Sequence, residues 1–378
     1  VNDGIDYGCR PDIEAAYGDK LRPMDAFKDS APAELVDCVG HDDLMVLMFT
    51  SGTTGRSKAV MLSERNFFTT VECQVKFGDA MLDYKHEHMP EDKDDVLSNF
   101  AILPLFHLGT FICLFVWACK GWALNLSADI RDFYRDLGLM HSDAIAVAPM
   151  LMEAIYKDVK RGRRARLNGI WNPCGSSAMF DGAMLAELAQ QGMMITQVYG
   201  MTETCGDGII NYEQDEKHIR AVGKPDDHAE YKLDETGEIC IRGGCVMLGY
   251  YKDPEATAEV LDADGWFHTG DLARVDEDGF YYITGRKKNI IILDNGENVS
   301  PEELENLLSK CEAVKECIVR EKGKKICAVI YCGEADQQTV RDFITETNRT
   351  LPLYKRMSAV EFSTEPLPRT GTGKLLRK

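Results

Sequence analysis

Leu44 to Phe49 is an unbroken apolar run that stops at Thr50-Ser51-Gly52-Thr53-Thr54-Gly55, and a helix-like pattern follows from Ser63 to Val75. Strand, glycine-rich loop, helix is a setting in which backbone N–H groups gather around an anion. Apolar runs recur at Phe100 to Leu105 and Ala144 to Ala148, with longer helical patterns between them. That alternation predicts a mostly parallel sheet covered by helices. Phe100 to Cys119 is twenty residues without a formal charge, about the length of a membrane span. Pro104, His107 and Gly109 interrupt it, so a buried strand, a tight turn and a buried helix fit better than a transmembrane segment.

Beyond Gly223 the pattern shortens. Gly237 to Ile241, Leu272 to Val275 and Gly279 to Ile283 are punctuated by Asp264-Gly265 and Asp278-Gly279, which predicts an antiparallel β subdomain over about 223–285. A third texture starts at Arg286. Ile290 to Leu293 reads as a strand, and Ser300-Pro301-Glu302-Glu303 supplies an N-cap, a first-turn proline and a capping-box acid for a helix to Ser309. Strands at Glu316 to Arg320 and Lys325 to Cys332 and a helix at Gln337 to Asn348 complete a small α+β domain. The expected fold is α/β: a large domain over 1–285, of mostly parallel sheets with helices and an antiparallel β subdomain, then a small mobile α+β domain over 286–378.

Composition narrows the function classes. With 44% apolar and 28% charged residues among 378, the chain is globular rather than disordered. A formal charge of −19 disfavours a nucleic-acid partner. The basic run Lys160, Arg161, Arg163, Arg164 and Arg166 reads as a solvated helix end or, less simply, as a localisation patch. Thirteen cysteines without a C-x-x-C pair fit reduced, buried thiols in the cytoplasm, and the polar opening from Val1 lacks a secretory pattern. His86 and His88 read as part of a charged loop with no third metal ligand nearby.

Five motifs carry candidate chemistry. In Thr50-Ser51-Gly52-Thr53-Thr54-Gly55-Arg56-Ser57-Lys58 the glycines admit close backbone approach, the hydroxyls add donors and Lys58 adds a mobile cation. Alone, the segment reads equally as a phosphate cradle or as a solvated turn. In Tyr199-Gly200-Met201-Thr202-Glu203-Thr204 a hydroxyl beside a carboxylate suits phosphate contact by Thr202 and magnesium ligation by Glu203, since Mg²⁺ takes oxygen ligands. Trp266-Phe267-His268-Thr269-Gly270-Asp271 sets a carboxylate at a hairpin start, where it can accept two ribose hydroxyls. Gly285-Arg286-Lys287-Lys288 and Pro368-Arg369-Thr370-Gly371-Thr372-Gly373-Lys374 follow.

In this order and spacing the five motifs resemble the adenylate-forming (AMP-binding) superfamily, of the acyl-CoA synthetase or fatty-acid–CoA ligase type. The resemblance runs from Leu44 to the end of the chain. It implies a two-step ligase: a carboxylate attacks the α-phosphate of ATP to give an acyl-adenylate and pyrophosphate, and the thiol of coenzyme A then displaces AMP. It further implies that Thr50, Ser51, Gly52, Thr53, Thr54, Gly55 and Lys58 hold the pyrophosphate, that Thr202 contacts the α-phosphate and that Glu203 holds Mg²⁺. Gly175, Ser176, Ser177 and Ala178 would flank the adenine, with Tyr199 on its other face and Gly200, Met201 and Ile283 completing the nucleotide site. Asp271 and Arg286 would bind the ribose, and Lys374 the carboxylate and α-phosphate. Lys288 aligns with the hinge of the small domain, and Gly296, Glu297 and Asn298 with the thiol channel.

The chain departs from the pattern at Ser57 and Ala59, where proline and glycine are usual, and at Cys174-Gly175-Ser176-Ser177. Family members also carry more sequence ahead of the loop, so an N-terminally incomplete large domain is expected. His107 follows Phe106 where amino-acid-activating relatives carry aspartate, which disfavours an amino acid and makes His107 a candidate gate for the carboxylate. Gly206 and Gly208 leave room for a long chain, favouring a medium- or long-chain fatty acid over an arylpropenoate. An acyl-AMP ligase loading a carrier protein would share these residues, and a non-catalytic nucleotide-binding protein would not need them all.

Overall fold

The computed structural model describes residues 40–50, 58–127, 129–176, 180–206, 208–293, 297–323, 325–369 and 375–376. His41–Lys378 forms one compact unit. Its central sheet has six strands in the spatial order Ala123–Leu126, Ser98–Ala101, Ala144–Val147, Asn172–Ser176, Thr196–Gly200 and Gly208–Asn211. The first five run parallel and the last antiparallel. Helices Leu108–Lys120, Pro149–Lys160 and Gly182–Gln190 connect them. Their starts and stops are local: Pro149 stands in the first turn of its helix, the Asp181 carboxylate accepts from the N–H of Ala183 and Met184, and Gly121 ends its helix in the left-handed region at φ 67°. Phe100, Ile145, Val147, Met152, Ile155, Leu185, Leu188 and Ile195 make one core. Strands buried on both faces read as continuous apolar runs.

The uncharged stretch from Phe100 resolves into the end of a strand, a turn in which His107 N–H donates to the Pro104 carbonyl at 2.9 Å, and the helix Leu108–Lys120. The strand is shorter and earlier than expected, Ser98–Ala101. Among the described residues no helix is long and apolar enough to cross a membrane.

The expected strand–loop–helix at the glycine-rich run gains an element. Leu44–Phe49 pairs antiparallel with a second strand, Ala59–Ser63, from Phe49↔Ala59 to Leu44↔Ser63. Gly249–Tyr250 adds to the other edge of Ala59–Ser63, with Tyr250 opposite Val60. The helix begins only at Glu64, with Ser63 and Asn66 forming a reciprocal capping box, and it runs to His88. His86 and His88 therefore lie in a last helical turn rather than in a loop, and His86 meets Asp95 at 2.7 Å.

The β subdomain is an antiparallel sheet ordered Tyr281–Arg286, Phe267–Val275, Glu238–Gly243, Ala229–Leu233. Asp276 closes its Asp278-Gly279 turn by accepting from Asp278 N–H and Phe280 N–H. The strand Phe267–Val275 starts five residues earlier than the pattern predicts, so Asp271 sits within a strand rather than at a hairpin start. In the following segment Glu316–Lys322 pairs antiparallel with Lys325–Tyr331, which pairs parallel with Ala359–Ser363. Helices Pro301–Leu308 and Gln337–Thr350 pack on them through Leu304, Leu308, Val340 and Ile344. The capping box expected at Ser300 does not form. Its hydroxyl donates instead to the Thr284 carbonyl at 2.7 Å, tying this helix to the end of the β subdomain.

Candidate active site

Asn172–Ser176 and Thr196–Gly200 are neighbours in the sheet, with Gly175 opposite Gln197 and Ser176 opposite Val198. The carboxyl ends of parallel strands are where α/β sheets place ligands. A Cβ on Gly175 would stand 2.4 Å from the Phe180 ring, so the missing side chain is what lets that ring close over the strand. Tyr199 is buried and its hydroxyl donates to Asp271 Oδ2 at 3.2 Å. Burial first, and then the Asp271 carboxylate, hold the Tyr199 phenol well above its ordinary pKa, so it stays a neutral donor. Asp271 and Arg286 face each other on adjacent strands, and Arg286 Nε lies 2.8 Å from Asp271 Oδ1. The carboxylate thus faces Tyr199 with one oxygen and Arg286 with the other. Just before Asp271, Gly270 adopts φ 72°, a conformation that favours glycine. Thr269, Gly270, Arg286, Lys287 and Lys288 line a cavity of about 330 Å³ beside this pair. Ile283 packs in the cluster that holds Tyr199.

Past Gly200 the chain makes one tight turn. Thr204 Oγ1 donates to the Met201 carbonyl, Gly206 N–H returns to the same carbonyl at 2.8 Å, and Gly208–Asn211 runs back antiparallel. Thr202 and Glu203 stand half-buried on this turn. Glu203 Oε1 accepts from the Tyr250 hydroxyl at 2.9 Å, and the Lys58 ammonium lies 4.4 Å from the centroid of the same tyrosine ring. Burial and the adjacent Glu203 push the Tyr250 phenol well above its ordinary pKa. Thr50 N–H donates to the Lys58 carbonyl at 3.0 Å, so the two ends of the glycine-rich run are joined. One half-buried carboxylate, with no hydrogen bond to its second oxygen among the described residues, is a donor set that fits Mg²⁺, which usually takes one or two protein carboxylates.

The residues Ser51, Gly52, Thr53, Thr54, Gly55, Ser177, Ala178, Gly296 and Lys374 lie outside the described residues. His107 is exposed at the start of its helix, one residue from Leu108, whose side chain faces Gly206. Glu297 accepts from Leu293 N–H through its carbonyl, and Asn298 pairs with Ile292. Lys287 and Lys288 are both exposed in a single 3₁₀ turn, and Lys287 donates to the buried Glu238 at 2.7 Å. The basic run closes on its own fold: Arg166 pairs with Asp158 at 3.1 Å, Arg164 donates to the Gln191 carbonyl, and Lys160 reaches Glu187.

Residues 10–251 match the family described as AMP-binding enzyme. The chain belongs to that family. Residues 303–374 match the family's C-terminal domain. The chain is 30% identical to 4-coumarate–CoA ligase 3 of Oryza sativa subsp. japonica, covering 93% of this chain and 66% of that one. It is 31% identical to a long-chain-fatty-acid–CoA ligase of Salmonella typhimurium, covering 89% and 61%. The o-succinylbenzoate CoA synthetase of Bacillus subtilis, solved with an acyl-adenylate intermediate, superposes with a TM-score of 0.75 at 25% identity, covering 96% and 75%. The chain thus spans about two thirds or less of the length of these two curated relatives.

Two residues beside the site lie outside all five motifs. Tyr250 lies 47 residues from Glu203 and belongs to none of the five motifs. Glu238 is a buried carboxylate that accepts from Gly270 N–H at 2.7 Å as well as from Lys287. An acid opening an apolar strand was the one available signal for it.

Proposed function

We propose that this AMP-binding enzyme is an ATP-dependent acid–CoA ligase that forms an acyl-adenylate and then a thioester, releasing pyrophosphate and AMP. The observation that carries this reading is the meeting of distant motifs at one turn. Lys58 and Glu203 share Tyr250, while Tyr199, four residues from Glu203, shares Asp271 with Arg286.

A free carboxylate is a poor electrophile, and an anion must approach a polyphosphate, so control of charge dominates the first half-reaction. In this reading Lys58 and the glycine-rich run hold the departing pyrophosphate, Thr202 contacts the α-phosphate, and Glu203 would hold Mg²⁺, which supplies charge neutralisation when bound. Asp271 and Arg286 orient the ribose, and Gly175 and Tyr199 bracket the base. Lys374 contacts the acid during adenylation, and rotation at Lys288 brings Glu297 and Asn298 toward the thiol of coenzyme A. The domain division at 285–286 follows from that hinge. Buried cysteines suit a reducing, cytoplasmic setting.

The first acid to test is a medium- or long-chain fatty acid, because His107 rather than an acidic residue follows Phe106 and Gly206, three residues beyond Glu203, carries no side chain. An arylpropenoate is the second, since one of the relatives is a 4-coumarate–CoA ligase. Pyrophosphate release is measured with ATP, Mg²⁺ and a panel of carboxylic acids. Acid-dependent release is the expected outcome, and coenzyme A set against a carrier protein then identifies the acceptor. Absence of pyrophosphate release with every acid in the panel would favour a non-catalytic nucleotide-binding protein.

A further inference from the structure

Tyr250 joins two motifs that the chain keeps far apart. Its hydroxyl donates to Glu203 Oε1 at 2.9 Å, and its ring face carries the Lys58 ammonium at 4.4 Å from the centroid. The ring itself is fixed. Tyr250 is 6% exposed, its strand pairs with Ala59–Ser63, its N–H donates to Thr257 Oγ1 at 2.9 Å, and Tyr251 N–H donates to the Ala59 carbonyl at 2.8 Å. Three residues earlier, Met247 N–H donates to the Glu203 carbonyl at 2.9 Å. The segment 247–250 therefore holds Glu203 by both backbone and side chain, and holds the end of the glycine-rich run by strand pairing.

We infer that Tyr250 is a positioning residue for a divalent-cation complex of a nucleoside triphosphate: it fixes the Glu203 carboxylate with its hydroxyl and the Lys58 ammonium with its ring face. This rests on the reading of Glu203 as the metal carboxylate. With Oε1 engaged, Glu203 presents Oε2, and one rotamer replaces several. A lysine over an aromatic face is likewise restricted while its charge stays available. Partners of metal-ligating carboxylates commonly set metal affinity by about 10- to 100-fold.

The test uses the full chain and separates hydroxyl from ring. Tyr250→Phe keeps the packing and the Lys58 contact, so ATP binding in EDTA stays at the wild-type value. Mn²⁺ affinity in the presence of ATP, read by electron paramagnetic resonance, falls by about tenfold. Tyr250→Leu weakens both. If Tyr250→Phe keeps wild-type Mn²⁺ affinity, or weakens ATP binding in EDTA by the same factor, the inference is overturned. Glu203→Gln separates this failure from that of the underlying reading. If it leaves Mn²⁺ affinity intact, the assignment of Glu203 falls and the inference with it; if it weakens affinity and Tyr250→Phe does not, the inference alone falls.

Discussion

Tyr199 and Asp271 are 72 residues apart in sequence and meet through one hydrogen bond of 3.2 Å, with both side chains buried. Tyr199→Phe keeps the ring and removes the only hydroxyl that Tyr199 offers to a charged, buried acceptor. We predict a loss of about 1–2 kcal/mol in urea unfolding. The pH dependence carries a sign as well. The folded phenol titrates well above its ordinary value, so the stability it contributes is full below pH 10 and is lost as pH rises beyond it. Tyr199→Phe should make that alkaline decline shallower, with the other buried tyrosines supplying what is left of it.

Lys287→Met tests the second ion pair of the same sheet. Glu238 is 3% exposed and would lose its cation, while half-exposed Lys287 admits water to the pair. Breaking a fully buried pair costs about 3–5 kcal/mol, and screening reduces this to about 1–2 kcal/mol here. The double variant with Glu238→Gln should lose less than the sum of the singles, measured in a double-mutant cycle.

Gly208→Ala separates a structural glycine from one that makes room for substrate. Its Cβ would stand 1.9 Å from the Tyr199 carbonyl oxygen, so two paired strands must part. A loss of about 2–3 kcal/mol in stability is expected. A stable variant with altered chain-length preference would instead return this glycine to the substrate channel.

Thiol reactivity gives a test that needs no substrate. Burial pushes Cys113 up to about 11 and, with Cys113 beside it, Cys174 up to about 12. Thiolate is the reactive form, so both stay unmodified by iodoacetamide in the native protein at pH 8. The exposed Cys119 should be alkylated first among the described cysteines, as read by peptide mass spectrometry.

The sequence was most legible where burial is two-sided and least where partners are distant. Ala144 to Val147, buried in the central sheet, announced itself as an apolar run; Leu44 to Phe49 did so too, although only Met48 of that strand is buried. Ala59–Ser63 did not, because five residues flanked by Lys58 and Glu64 read as the approach to a helix, and its pairing with Gly249–Tyr250 is invisible locally. The motif residues Tyr199, Asp271 and Arg286 were legible as candidates, but their mutual bonds follow from strand register. Gly208 misled: its small size looked like space, and the close approach of the Tyr199 backbone uses that space. Ser300 had the right neighbours for a cap, but its hydroxyl is turned to the Thr284 carbonyl and the box acid Glu303 is held by Lys355.

The four-stranded β subdomain also bears on the order of folding. Ala229–Leu233 with Glu238–Gly243, and Phe267–Val275 with Tyr281–Arg286, are hairpins between consecutive strands. The parallel pairings of the central sheet close only after long crossovers, which makes them slower to form. During refolding the Asp271–Arg286 register is expected to be set first. The strand carrying Tyr199 then docks against an acceptor already in place, so the last event to complete the pair is a search by one tyrosine rather than by three separate side chains.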